Sequence, residues 1–364
     1  MKNPFRHTGI ATAPAFCNRE TESSELLRAI ENARNILLYS HRRTGKTSLI
    51  QKVLGGLSDV HPFYVDLYGT TTVEEFVTAT IRALTREMPS VEHALTWLRM
   101  RFTRLTFQFS ADPATGQPTV TPAFTGHDEE EMLTELFRTL EELSYKKPLV
   151  VAFDDFQETT SYGAPYFEKR IRLEIQSHHR VSYIFSGNHP QLITPIFTDR
   201  KRPLYNLAAP LPLTKIDTEA WVTWAMALFK HGKRAMDENV LQEVITLCQG
   251  HPMYIQEFFY HLWENGLPDG GVGEILQIIL QRREMEFINL FSTMTPNQKR
   301  AMKLVARHEG KGLFSAKNLQ SVGFTSTSQA SRALGALLGR DDVIKEESWS
   351  VCDPLFKQWI LRLA

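Results

Sequence analysis

Ser40-His41-Arg42-Arg43-Thr44-Gly45-Lys46-Thr47-Ser48 follows the apolar run Asn35-Ile36-Leu37-Leu38-Tyr39 and precedes a helical stretch from Ser48 to Leu54. A buried strand, a tight loop ending in Gly-Lys-Thr and a helix start stand in the order that a phosphate-binding loop requires. Gly45 lets the backbone approach an anion with no side chain in the way. Successive N–H groups and the positive end of the helix dipole then face that anion. Lys46 would reach the β- and γ-phosphates of ATP, and the Thr47 hydroxyl would sit on Mg²⁺. Arg43, Thr44 and Ser48 complete the loop residues expected at the nucleotide. The full pattern G-x-x-x-x-G-K-[ST] has glycine where Ser40 stands, a change expected to touch none of the groups that contact phosphate. The competing reading is a basic turn before an ordinary helix, and a second motif weighs against it.

That motif is Pro148-Leu149-Val150-Val151-Ala152-Phe153, a short apolar strand ending in Asp154-Asp155. Asp154 is expected to hold Mg²⁺, and Asp155 to orient or deprotonate the attacking water. Val181 to Phe185 is a further apolar strand, closing on Ser186-Gly187-Asn188. Ser186 or Asn188 would hydrogen-bond the γ-phosphate or the water, with a plain turn as the competing reading. In Thr198-Asp199-Arg200-Lys201-Arg202, Arg200 or Arg202 would supply a charge-stabilising arginine to a neighbouring subunit's nucleotide, against the reading of a solvated basic loop.

At 364 residues the chain is expected to form two or three domains. Apolar content of 42% and charged content of 23% are those of an ordinary globular chain. Zero net charge argues against a generally nucleic-acid-coated protein. Cys17, Cys248 and Cys352 lie far apart, which fits neither a disulfide framework nor a zinc site. The segment Met1 to Phe16 does not read as a signal peptide, and no run approaches ~18 apolar residues. The expectation is a cytoplasmic chain with no membrane span.

Helices alternating with buried strands, such as His61 to Tyr68 before the helix Val73 to Met88, predict an α/β sheet of parallel strands. Residues 100–125 break the alternation and read as an inserted β-hairpin, turning at Asp112 to Gly116 and returning over Thr119 to Phe124. That insert is either a partner-binding arm or a passive flap. Asp128 to Glu131 reads as a solvated helix start. From Asp217 the strands stop, and four amphipathic helices are expected up to Phe287. The final residues read as helix, helix, helix and hairpin, the winged-helix order. The expected domains are a P-loop α/β domain over 1–212, a helical lid over 213–290 and a winged helix over 291–364.

Asn18-Arg19-Glu20, Arg42 to Ser48, Asp154-Asp155-Phe156-Gln157, Ser186-Gly187-Asn188, Gly250-His251-Pro252, and Asp353-Pro354-Leu355-Phe356 with Trp359 occur in that order. On these pieces the chain resembles the archaeal-type P-loop ATPase domain family of the AAA+/STAND neighbourhood. The resemblance implies an ASCE-type parallel sheet with helices on both faces, a helical lid and a winged helix. It places Phe16 to Arg19 near the adenine and has His251 and Pro252 sense the nucleotide state. Asp155 stands where members more often carry Glu, one methylene longer, which implies slow hydrolysis. Leu207 takes the place of one arginine, leaving Arg200 and Arg202.

The leading expectation is therefore a Mg²⁺-dependent, slowly hydrolysing ATP switch whose winged helix docks a protein partner or regulates the ATPase, with self-association in view. The alternative is a DNA-associated ATPase reading duplex through the winged helix. Thr325 to Leu338, the expected recognition helix, carries a single base, Arg332, and the wing sets Lys345 beside Glu346 and Glu347. A phosphate-contacting face needs clustered bases, so protein docking is preferred.

Overall fold

The computed structural model describes residues 2–86, 91–102, 106–111, 118–123, 129–163, 165–308 and 312–363. They form two compact units. One comprises Arg19–Arg42 and Lys46–Thr214, the other the residues up to Asn18, Arg43–Gly45 and those from Lys215 onward.

The first unit is built on five strands, β1 (Ile36–Tyr39), β2 (His61–Asp66), β5 (Leu149–Asp154), β6 (Val181–Gly187) and β7 (Ala209–Pro212). Between β2 and β5 in the chain lie β3 (Thr106–Ala111) and β4 (Pro118–Ala123), which pair antiparallel as a separate hairpin. The expected hairpin turn at Asp112 to Gly116, together with Phe124 and Asp128, lies outside the described residues. The main sheet runs β2-β5-β6-β1-β7, and all its pairings are parallel. β6 therefore lies between β1, the strand before Ser40, and β5, the strand that ends in Asp154. The largely apolar sequences of β5 and β6 follow from this, since every residue of both strands is buried. Phe153, Tyr183 and Phe185 stack across them, with ring centroids 6.1–6.2 Å apart.

β7 reads Ala-Pro-Leu-Pro, which only an edge strand tolerates. The amides of Ala209 and Leu213 donate to β1-side carbonyls, at Asn35 and Tyr39. With a period of two, positions 210 and 212 point outward, where the missing proline N–H breaks no ladder bond.

The second unit is helical. Its core joins Trp221, Phe229, Tyr254, Phe258 and Trp263 to Met302, Leu334, Phe356 and Trp359, so the segments expected as lid and winged helix share one continuous core. Residues up to Asn18, expected with the α/β domain, belong here instead. Phe5 is buried with its ring 5.1–5.9 Å from those of Trp224, Phe229, Phe259 and Trp263. The C-terminal elements are the helices Pro296–His308, Ala316–Ser321 and Thr327–Gly339, the hairpin of β8 (Val343–Lys345) and β9 (Trp349–Val351), and the helix Pro354–Arg362. Ser326 caps the third helix by accepting from the Gln329 amide. Asp353 caps the last by accepting from the Leu355 and Phe356 amides, with Pro354 at its first position.

Candidate nucleotide site

In a parallel sheet the strand ends bring their following loops together at one edge. Here that edge carries Ser40 after β1, Asp154 and Asp155 at the end of β5, and Ser186 to Asn188 at the end of β6. Thr47 Oγ1 donates to Asp154 Oδ2 at 2.7 Å, joining the helix Lys46–Gly55 to β5 across 107 residues. The Tyr64 hydroxyl, from β2, donates to the same oxygen at 2.8 Å, and the Asp155 amide donates to Asp154 Oδ1 at 3.1 Å. Burial, and then the Asp154 charge, push the Tyr64 phenol well above its ordinary range.

Lys46 is buried, and its ammonium donates to Ser40 O at 3.1 Å, Ser40 Oγ at 3.1 Å and His41 O at 3.0 Å. Ser40 thus touches Lys46, the residue expected at the phosphates, through both its carbonyl and its side chain. A glycine there would offer only the carbonyl.

Asp155 sits in the left-handed region, φ 55°, and opens the 3-10 turn Phe156–Ser161. Its Oδ1 accepts from Gln157 Nε2 at 3.0 Å and from Asn188 Nδ2 at 2.6 Å. Burial pushes the Asp155 carboxyl up from the usual carboxylate range. The charges of Asp154 and Asp66 act the same way, while the Gln157 hydrogen bond and Lys46 oppose them. Of the two candidates after β6, the structure brings Asn188 to Asp155. The Ser186 side chain is fully buried, and its hydroxyl has no hydrogen-bond partner among the described residues.

Arg200 and Arg202 differ in their surroundings within this unit. Arg200 is exposed, in a basic groove of about 620 Å³ that Lys169, Arg172 and Lys201 also line. Arg202 is held by Glu168, a carboxylate with 1% exposure, through both its terminal nitrogen and Nε, the latter at 3.2 Å. Arg202, the other arginine expected to serve a neighbouring subunit's nucleotide, is thus engaged within its own chain, and freeing it would strand the buried Glu168 charge. Arg19 is buried, in the left-handed region at φ 78°, and pairs with Glu22 at 2.5 Å.

The remaining expected residues belong to the helical unit, except Ser48, which belongs to the sheet unit. Gly45 takes φ +96°, a conformation that side chains resist. Thr44 is half-buried beside it, while Ser48 lies in the first turn of the helix Lys46–Gly55. Arg43 donates to the Tyr254 hydroxyl at 2.9 Å and to Glu286 at 3.0 Å, and lies 3.7 Å from Asp353. Tyr254 in turn donates to Asp353. Burial alone would lower the Arg43 pKa; Tyr254, Glu286 and Asp353 more than offset it and raise it. His251 precedes Pro252 at the start of the helix Pro252–Asn265, its ring 4.7 Å from that of Tyr254.

Nothing in the sequence marks Tyr64 as the partner of Asp154 or Glu168 as the partner of Arg202, and Gln157 stands out only as the last residue of Asp154-Asp155-Phe156-Gln157. The alternation of β2 puts Tyr64 on the face opposite the buried Phe63 and Val65, where it is half-buried.

A threonine hydroxyl beside a carboxylate oxygen is the hard oxygen pair that Mg²⁺ takes, and Lys46 already addresses three oxygen acceptors, so these residues fit a Mg²⁺–nucleotide phosphate. No helix among the described residues is long and apolar enough to cross a membrane.

Residues 285–362 match the family model of a probable winged helix domain. No curated protein sequence matches the chain. Among solved structures it is similar to a Walker-type ATPase of Pyrococcus abyssi, at 20% identity and TM-score 0.69 over 98% of each chain. It is also similar to the Aeropyrum pernix ORC2 protein, at 13% identity and TM-score 0.59 over 100% of this chain and 98% of that one. The Aeropyrum pernix ORC1 protein in complex with DNA matches at 17% identity and TM-score 0.50, over 96% and 93%. The likeness to the Walker-type ATPase and to the ORC2 protein is one of fold, and residues 285–362 carry the winged-helix match.

Proposed function

We propose that the chain binds ATP with Mg²⁺ and hydrolyses it slowly, as a switch whose nucleotide state governs docking of a protein partner through the winged helix. The observation that carries this reading is the 2.7 Å approach of Thr47 Oγ1 to Asp154 Oδ2, with Lys46 beside them on the same loop. Bound there, Mg²⁺ supplies charge neutralisation of the β- and γ-phosphates. Lys46 holds the phosphates, Asp155 receives the proton of the attacking water, and Asn188 fixes the Asp155 carboxylate. Arg200 remains exposed and is the arginine that a neighbouring copy's nucleotide would meet.

Duplex DNA is the second reading, supported at the level of fold by the DNA complex of the ORC1 protein. The helix Thr327–Gly339 carries Arg332 as its single base, with Nε turned to the Ser328 carbonyl at 3.4 Å, which favours a protein partner.

The test is the melting temperature of the full chain with Mg²⁺ and ATP, followed by phosphate release. ATP at about 100 times its dissociation constant stabilises by roughly 2.7 kcal/mol. Lys46→Ala is expected to abolish that rise. Wild-type protein whose melting temperature ATP does not move would end the reading.

A further inference from the structure

Gln157 Oε1, Ser186 Oγ and Asn188 Oδ1 are buried and make no hydrogen bond among the described residues. Buried polar atoms in folded proteins are almost always paired, so a cluster of orphans marks a place that something fills. Two of these atoms belong to amides whose nitrogens both donate to Asp155 Oδ1. Oxygen and nitrogen of one amide are about 2.3 Å apart, so both orphaned oxygens lie within about 5 Å of that carboxylate atom. Both donors converge on Oδ1, which leaves Asp155 Oδ2 clear of them. The two amide oxygens are acceptors without a donor, the Ser186 hydroxyl can donate or accept, and water is the smallest molecule that offers two donors.

The position of Gln157 is built with care. The left-handed turn at Asp155 folds the chain so that the residue two places on comes back to the carboxylate. Gln157 is 3% exposed. A Cβ at position 187 would stand 2.7 Å from Gln157 Oε1 and would also meet Ile193, so a side chain at that strand end would push the amide out of this place.

We propose that Gln157 holds the nucleophilic water of ATP hydrolysis. The proposal rests on the ATPase reading above. The water gives one hydrogen to Gln157 Oε1 and directs the other at Asp155 Oδ2. Its oxygen forms a bond to the γ-phosphorus while the bond from that phosphorus to the β,γ-bridging oxygen breaks. The electron pair of the broken bond leaves with ADP, and the proton of the water passes to Asp155. Asn188 keeps the carboxylate turned so that Oδ2 is the atom presented. Aspartate is a methylene shorter than glutamate, and Gln157 supplies the missing reach by holding the water from a second side.

The experiment uses the full chain, measuring phosphate release against ATP concentration and, separately, the ATP-induced rise in melting temperature. Gln157→Leu keeps the bulk and removes the acceptor. It is expected to lower kcat roughly 10- to 100-fold while KM and the ATP-induced rise stay at wild-type values. If Gln157→Leu gives no folded protein, Gln157→Ala is read by the same criteria. Turnover within threefold of wild type would overturn the proposal and leave the ATPase reading standing. Loss of the ATP-induced rise together with kcat would also overturn it, since the amide would then shape the binding site and not the water. Wild-type protein that neither binds nor hydrolyses ATP would remove both readings together.

Discussion

Tyr64 and Thr47 donate to the same carboxylate oxygen, Asp154 Oδ2, from different elements and at nearly equal distances of 2.8 and 2.7 Å. When a threonine hydroxyl turns to a metal ion, the phenol is the donor that remains to keep the carboxylate oriented. Partners of this kind behind a metal site typically change metal affinity 10- to 100-fold when removed. Tyr64→Phe is therefore expected to raise, by roughly tenfold, the Mg²⁺ concentration that gives half of the ATP-induced thermal stabilisation. A Mg²⁺ titration at fixed ATP checks this, and an unchanged midpoint would remove Tyr64 from the site.

Arg202 is expected to act on stability and not on turnover. Truncating it leaves Glu168 buried without its counter-ion, a change that costs about 3–5 kcal/mol for fully buried pairs and less here, where Arg202 is half-buried. Arg202→Ala should lower the melting temperature while the folded fraction hydrolyses ATP at the wild-type rate per molecule. Loss of turnover at unchanged stability would instead mark Arg202 as a charge-stabilising arginine.

His178 gives the sheet unit a pH dependence. Burial pushes its pKa down to about 4; Glu141 opposes this and His179 adds to it. Its Nδ1 pairs with the buried Tyr183 hydroxyl at 2.7 Å. As pH falls below about 6.5 the unfolded chain takes up the proton first, because the folded pKa is the lower one. Stability is thus complete above pH 6.5 and declines on the way to pH 4, by at most roughly 3 kcal/mol. His178→Asn keeps a polar atom near the Nδ1 position and removes the titration. Its melting temperature should fall less steeply than that of wild type across this range, and parallel curves would refute the assignment.

The parts legible in the sequence are those with local signals. The strand before Ser40, the Gly-Lys-Thr turn and the apolar run ending in Asp154-Asp155 each announce themselves within ten residues. The placement of Phe5 does not, because it lies in an irregular segment with no periodicity, and its aromatic neighbours are more than 200 residues away. Arg202 reads as an available base for the same reason: Glu168 stands 34 residues earlier on a helix face that the sequence presents as merely amphipathic. Gln157 sits two residues from a carboxylate that the motif does identify. Its role becomes visible only through the left-handed turn at Asp155 and the missing side chain at Gly187, and neither is a property of Gln157 itself.

The two prolines of β7 also decide how copies of this chain can meet. The N–H groups of Ala209 and Leu213 are spent inward on β1, and the outward positions, 210 and 212, have none to give. An incoming strand would find carbonyls along that border and no donors, so it could not zip on there. Self-association or partner capture by strand addition is closed at β7, which leaves β2 as the border of this sheet where backbone pairing could extend it.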